Sequence, residues 1–179
     1  VGDGVDPETM ELDAYSLNDY LRLWDTPGLG DGVDKDEIHK KKITELLNKT
    51  YTSDGREYGF IDMVLVIIEG TNRDMGTTYK ILNDVIVPNI SKYRILVLIN
   101  QAYMAMKGRH WDYKLNKPDK VLLEFLDKQV SSIKERVKEA TGVQILKPVY
   151  YSAEYGYNVE KVFDFIIENM PIDRRKIRR

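Results

Sequence analysis

Short runs of aliphatic and β-branched residues alternate along this chain with longer amphipathic stretches, and that alternation limits the folds open to it. Residues 60–68 are apolar except for Asp62, which suits a strand buried on both faces of a parallel sheet. Residues 94–99 repeat the pattern, and residues 148–151 form a shorter version of it. Between and after these runs the period changes to that of a helix. Residues 77–86 place Ile81, Leu82, Val85 and Ile86 on one side. Residues 119–140 carry Leu122, Leu126, Val130, Ile133 and Val137 at near-ideal helical spacing, with Gly142 placed to end the helix. A helix over 35–50 has Ile43, Leu46 and Leu47 as its apolar stripe, and another covers 159–170. Before all of these, residues 11–17 and 20–24 read as two strands joined by a turn at Asn18-Asp19, hence an antiparallel pair. The order strand, strand, helix, strand, helix, strand, helix, strand, helix predicts an α/β fold. Its sheet is mainly parallel with one antiparallel edge strand, and helices cover both faces. In such sheets ligands sit at the carboxyl ends of the strands, which here carry Asp25, Glu69, Asn100 and Ser152.

Length and composition narrow the function classes. The 179 residues suffice for one domain with its own core. A net charge of −2 excludes a surface that traps nucleic acid everywhere. The absence of cysteine excludes disulfides, thiolate zinc sites and cysteine nucleophiles. The apolar run Met63 to Ile68 is strand length, far below the ~20 residues of a membrane helix. A cytoplasmic protein without a transmembrane segment is expected. His39 and His110 lie far apart and outside any ligand-spaced cluster, so both read as surface residues. Residues 107–117 read as a polar loop, and the basic stretch 174–179 as a tail or the start of a linker, leaving 1–173 as the domain.

Three segments at strand ends carry chemistry. The first is Asp25-Thr26-Pro27-Gly28-Leu29-Gly30, directly after an apolar strand. A carboxylate there can hold a hydrated Mg²⁺, and a glycine three residues on lets its backbone N–H approach a phosphate. The plainer alternative is an ordinary Pro-Gly turn. The second segment is Asn100-Gln101-Ala102-Tyr103 and the third is Ser152-Ala153-Glu154. In this order, with Val5 to Thr9 and Asp25 to Gly32 as matching switch strings, they resemble the nucleotide motifs of Era-like domains in the Ras-like P-loop GTPase superfamily.

That resemblance implies a three-layer Ras-like fold, guanine-nucleotide binding, Mg²⁺, and hydrolysis of GTP to GDP as a conformational switch. It implies roles for single residues too. Thr9 would meet Mg²⁺ and the γ-phosphate, Asp25 would hold a Mg²⁺ water, and Gly28 would sense the γ-phosphate. Asn100 would face guanine O6 and N7, Gln101 would pack under the base, and Ala153 would offer its N–H to O6, flanked by Ser152 and Glu154. Leu29 stands where the Ras group orients water with glutamine, so intrinsic turnover would be slow. Family partners include RNA, the ribosome and other proteins, met through the switch regions.

Three positions depart from the pattern. No Gly-x-x-x-x-Gly-Lys-Ser/Thr occurs in the 179 residues, so the phosphate nest is absent. Tyr103 occupies the place of the aspartate that accepts from guanine N1 and N2, and leaving those donors unpaired costs about 1–3 kcal/mol each. Gln101 replaces a lysine, with smaller loss. In this fold the first strand, the P-loop and the first helix would come before Val1, and the strands over 20–24 and 60–68 would flank the missing strand. An upstream segment, direct pairing of the flanking strands, or a second chain would each close that gap; the lack of an initiating Met makes an upstream segment the expectation. A second function stays open beside the switch: a degenerate GTPase-like domain without catalysis, serving as a protein-interaction module.

Overall fold

The computed structural model describes residues 14–19, 21–26, 33–71 and 75–177. They fall into two compact units, residues 1–43 and residues 44–179. The chain is a mixed α/β protein built on a three-stranded parallel sheet.

In the first unit, β1 (Ala14–Asn18) and β2 (Leu21–Trp24) pair antiparallel, as the alternation and the turn at Asp19 predict. Their register runs from Ala14 opposite Trp24 to Ser16 opposite Arg22, then slips so that Asn18 faces Leu21, an irregularity of the bulge type. The pair forms a two-stranded sheet of its own. Helix α1 (Val33–Asn48) begins in this unit and ends in the second, two residues short of the expected end because Thr50 already opens the next strand.

In the second unit, β3 (Thr50–Ser53) and β4 (Arg56–Gly59) form a hairpin. Asp54 and Gly55 turn it, both in the left-handed region at φ 50° and 69°, the geometry that matches the twist of paired strands. The basic tail, expected to lead into a linker, instead joins this hairpin. Gly59 N–H donates to Arg175 O at 2.7 Å, Ile177 N–H donates to Glu57 O at 3.2 Å, and Tyr58 bridges Lys176. Arg175 also reaches inward. Its guanidinium donates to the carbonyls of Leu47 and Asn89, and its N–H donates to Asp62 Oδ1 at 2.7 Å.

The parallel sheet has the order β5 (Val64–Glu69), β6 (Ile95–Asn100), β9 (Val149–Tyr150). Val64 faces Ile95 and the register holds to Glu69 opposite Asn100. Leu98 and Ile99 then face Val149 and Tyr150. As expected for a central parallel strand, Ile95 to Ile99 are all buried. The strand β5 is different. Val66 and Ile68 are buried, but Ile67 is 57% exposed and Glu69 is exposed as well. It forms one edge of the sheet, and among the described residues only the face of Val66 and Ile68 is covered.

Helix α2 (Gly76–Ile81) continues through a π turn (Leu82–Ile86) into the short α3 (Val87–Asn89). Pro88 lacks an amide hydrogen and its ring crowds the preceding turn, which accounts for the widened helix there. Ile81, Leu82, Val85 and Ile86 are nevertheless buried on the inward side, as their spacing predicts. Helix α4 (Lys120–Thr141) buries all five residues of the predicted stripe and ends at Gly142 in the left-handed conformation. Asp119 caps its start by accepting from Leu122 N–H at 3.0 Å. Helix α5 (Val159–Glu168) buries Val162 and packs against β9. Residues 107–117 are not a plain loop: Trp111, buried, opens a small hairpin of β7 (Trp111–Asp112) and β8 (Lys117–Pro118).

Candidate functional site

Two parallel strands, β6 and β9, end side by side, and the residues that follow them are tied together. Asn100 closes β6, and its Oδ1 accepts from Gln101 N–H at 2.7 Å and from Ala153 N–H at 3.1 Å. One side-chain oxygen thus joins the β6 end to the loop after β9. Among the described residues the Asn100 amide nitrogen has no partner and stays free to donate. Gln101 adopts the left-handed region at φ 57°, which costs a non-glycine residue about 1–2 kcal/mol. The turn it makes lets Ala102, completely buried, donate its N–H to Tyr151 O at 3.0 Å. On the other side, Gly70 N–H donates to Asn100 O at 2.7 Å. A methyl group at Gly70 would lie 2.9 Å from Gln101 O and 3.1 Å from Asn100 O, so glycine is needed for this approach. Gly70 O in turn accepts from Gln129 of α4 at 2.9 Å.

The loop after β9 is equally fixed. Ser152 is the buried polar residue of the described core. Its N–H donates to Tyr157 O at 2.9 Å and its Oγ accepts from Tyr155 N–H at 3.2 Å. Asn158 Nδ2 donates to Tyr150 O at 3.1 Å, and Asn116 Nδ2 donates to Tyr155 O. Ala153 and Glu154 stand exposed at the tip of this braced loop.

Tyr103 faces that tip. Its hydroxyl donates to Glu154 Oε2. Its ring meets Tyr155 edge-on at 4.8 Å and Trp111 at 6.1 Å. Trp111 also contacts Tyr157 at 5.3 Å, and Tyr113 contacts Tyr155 at 5.9 Å. Such edge-to-face arrangements add to the burial of each ring. The hydrogen bond to Glu154 is the main reason that the Tyr103 phenol is pushed up to about 12. Burial pushes Tyr150 up to about 12 as well.

Six of the sequence-predicted site residues, Asn100, Gln101, Tyr103, Ser152, Ala153 and Glu154, therefore come together. Asp25 follows β2 in the first unit and is exposed. Thr9 and Gly28 lie outside the described residues. Asp112, weighed as a replacement carboxylate, is committed to its own hairpin, where Oδ1 accepts from Lys114 N–H at 2.9 Å and Leu115 N–H at 3.0 Å. His110 is exposed, as the sequence predicts, and pairs its Nδ1 with the helix-capping Asp119 at 2.8 Å. Gly70, Gln129 and Trp111 support the site without having been singled out by the sequence. The one available signal was Gly70 directly after a strand-end acid.

Among the described residues no group of three or more histidine, aspartate or glutamate side chains is placed to hold a metal ion. None of their helices is long and apolar enough to cross a membrane. No protein-family model, curated protein or solved structure matches the chain.

Proposed function

We propose that this chain carries the base-recognition half of a guanine-nucleotide switch of the Era-like class, with a Ras-like GTPase fold. Hydrolysis of GTP to GDP then requires a phosphate-binding loop that the 179 residues do not contain. One observation carries this reading: Asn100 and Ala153, 53 residues apart, are hydrogen-bonded at the carboxyl ends of two adjacent parallel strands. Ligands of open α/β sheets bind at such ends. The free Asn100 amide nitrogen can donate to the O6 and N7 acceptors of guanine. The buried Ser152 and the left-handed Gln101 hold the loops on either side, so recognition needs little reordering on binding.

Mg²⁺ is implied by the resemblance, but the described residues do not fit it on their own. Asp25 offers one exposed carboxylate, whereas Mg²⁺ takes an octahedron of oxygens. No step is derived through the cation, and GTP cleavage is assigned here only as phosphoryl transfer to water.

The second reading, an interaction module without catalysis, is favoured by Tyr103 in the aspartate position and by the absent phosphate loop. One titration separates the two. The product of the complete reading frame is titrated with fluorescent GDP, with ADP as competitor. Micromolar or tighter binding that prefers GDP supports the switch. No binding at millimolar nucleotide overturns it in favour of the module. The 179-residue chain alone is expected to bind GTP weakly or not at all, because the backbone nest for the phosphates is missing.

A further inference from the structure

We infer that Glu154, held in place by Tyr103, is the carboxylate that reads the donor edge of the bound purine, and so selects guanine. The inference rests on the nucleotide reading above and adds to it the residue that sets base preference.

Four observations lead there. First, Glu154 is the acid of the strand-end cluster. It follows Ala153, whose N–H is locked to Asn100 Oδ1. Second, its carboxylate has capacity to spare. Oε2 accepts from the Tyr103 hydroxyl, while an ionised carboxylate has about four acceptor positions over its two oxygens. Third, the group that orients it is rigid, because the Tyr103 ring is wedged against Tyr155 and Trp111. Fourth, Tyr103 stays a donor over the whole physiological range, since its phenol is pushed up to about 12. The two other acids near the sheet end do not compete. Asp112 is tied into its own turn, where Oδ1 accepts two backbone N–H groups. Glu69 ends β5, across β6 from the loop that bears Ala153.

Base chemistry makes this specific. Guanine presents a ring N1–H and a 2-amino group side by side, two donors for one carboxylate. Adenine presents an acceptor at N1, and xanthine an acceptor oxygen at C2, both of which a carboxylate repels. Inosine keeps N1–H and lacks the 2-amino group. A surface pair that merely braced the loop would have no influence on this order.

The test uses the product of the complete reading frame and competition titrations with GDP, IDP, XDP and ADP. The expected wild-type order is GDP, then IDP, with XDP and ADP weakest. Glu154→Gln is expected to lower GDP affinity by about 10- to 100-fold. It should raise XDP affinity, since the new amide can donate to the C2 oxygen. Tyr103→Phe, which removes only the positioning hydroxyl, should weaken GDP a few-fold and narrow the gap to IDP. Glu69→Gln should change nothing. Glu154 is exposed, so its replacement leaves packing intact, and an unchanged melting temperature verifies this. If GDP binds but Glu154→Gln leaves the GDP-to-XDP ratio within about threefold of wild type, this inference fails and the nucleotide reading stands. If no nucleotide binds, both fail together.

Discussion

Replacing Arg175 with alanine should cost far more stability than any other change in the basic tail. The guanidinium donates to Leu47 O, in the last turn of α1, and to Asn89 O, at the end of α3, the latter at 2.8 Å. The last carbonyls of a helix have no partner within the helix and carry the negative end of its dipole. One cation thus caps two helices. Burial lowers the pKa of Arg175 from its ordinary value, as expected of a charge drawn out of water. Hydrogen bonds from a charged donor contribute about 1.5–3 kcal/mol each, so the pair is worth roughly 3–6 kcal/mol before the cation's desolvation is subtracted. A net loss of about 2–4 kcal/mol remains, equivalent to roughly 4–16 °C in melting temperature for a chain of this size. Arg175→Lys should recover less than half, because an ammonium is a single point and cannot fork to two carbonyls. Arg174→Ala is the control. Arg174 is exposed, bonds the Tyr51 hydroxyl and lies 5.4 Å from that ring, a contact worth at most about 1 kcal/mol. Urea unfolding followed by circular dichroism measures all three. A loss below about 0.5 kcal/mol for Arg175→Ala would refute the double cap.

Gly70→Ala should damage the site as well as the fold. The added methyl meets the backbone of Asn100 and Gln101, which cannot swing away as a side chain would, so a cost of about 1–3 kcal/mol is expected in urea unfolding. Amide shifts at Asn100 and Ala153 in the NMR spectrum should accompany it; their absence would mean that the approach of β5 to β6 is not close. The capping Asp119 should make stability pH-dependent on the acid side. The bond from Leu122 N–H, then the one from His110, holds its carboxyl below the ordinary value. A depressed folded pKa contributes stability that is complete above the unfolded value and lost as pH falls through the folded one. Melting temperature should therefore decline below about pH 4–5, and Asp119→Asn should flatten part of that decline. Parallel curves for the two proteins would contradict the assignment.

What the sequence made legible follows the physics of each signal. Helix α4 could be read almost to the residue because five buried positions repeat at one period and a glycine ends it. The strand β6 was equally plain, being apolar from Ile95 to Ile99. The β3–β4 hairpin was missed even though Asp54-Gly55 is a strong turn signal. Its strands are four residues each and carry no aliphatic side chain, so no apolar alternation announces them. The tail was missed for a deeper reason. It is held by backbone hydrogen bonds to β4 and by one forked cation, and neither leaves a periodic trace in the sequence. Trp111 is a similar case, a single buried ring inside a polar stretch.

The site shows the same division. Strand ends can be located from the apolar runs that precede them, and this brought Asn100 and Ala153 into view together. The partnership of Tyr103 with Glu154 could not be read that way. The two residues are 51 positions apart, both are polar and neither is fully buried. Tyr103 taken alone is a departure from the resembling pattern and counts against base recognition, whereas Glu154 belongs to the Ser152-Ala153-Glu154 segment that carries the resemblance. In the folded chain the Tyr103 hydroxyl bonds Glu154, and on the nucleotide reading that changes what the tyrosine means. A tyrosine in place of an acid leaves the base's donors unmatched only if no other acid stands near, and here the tyrosine's own hydroxyl is bonded to one. On that reading, a tyrosine that merely weakened a nucleotide site should have an unrelated neighbour. A tyrosine whose effect is made good elsewhere should itself hold a carboxylate, as the Tyr103 hydroxyl holds Glu154.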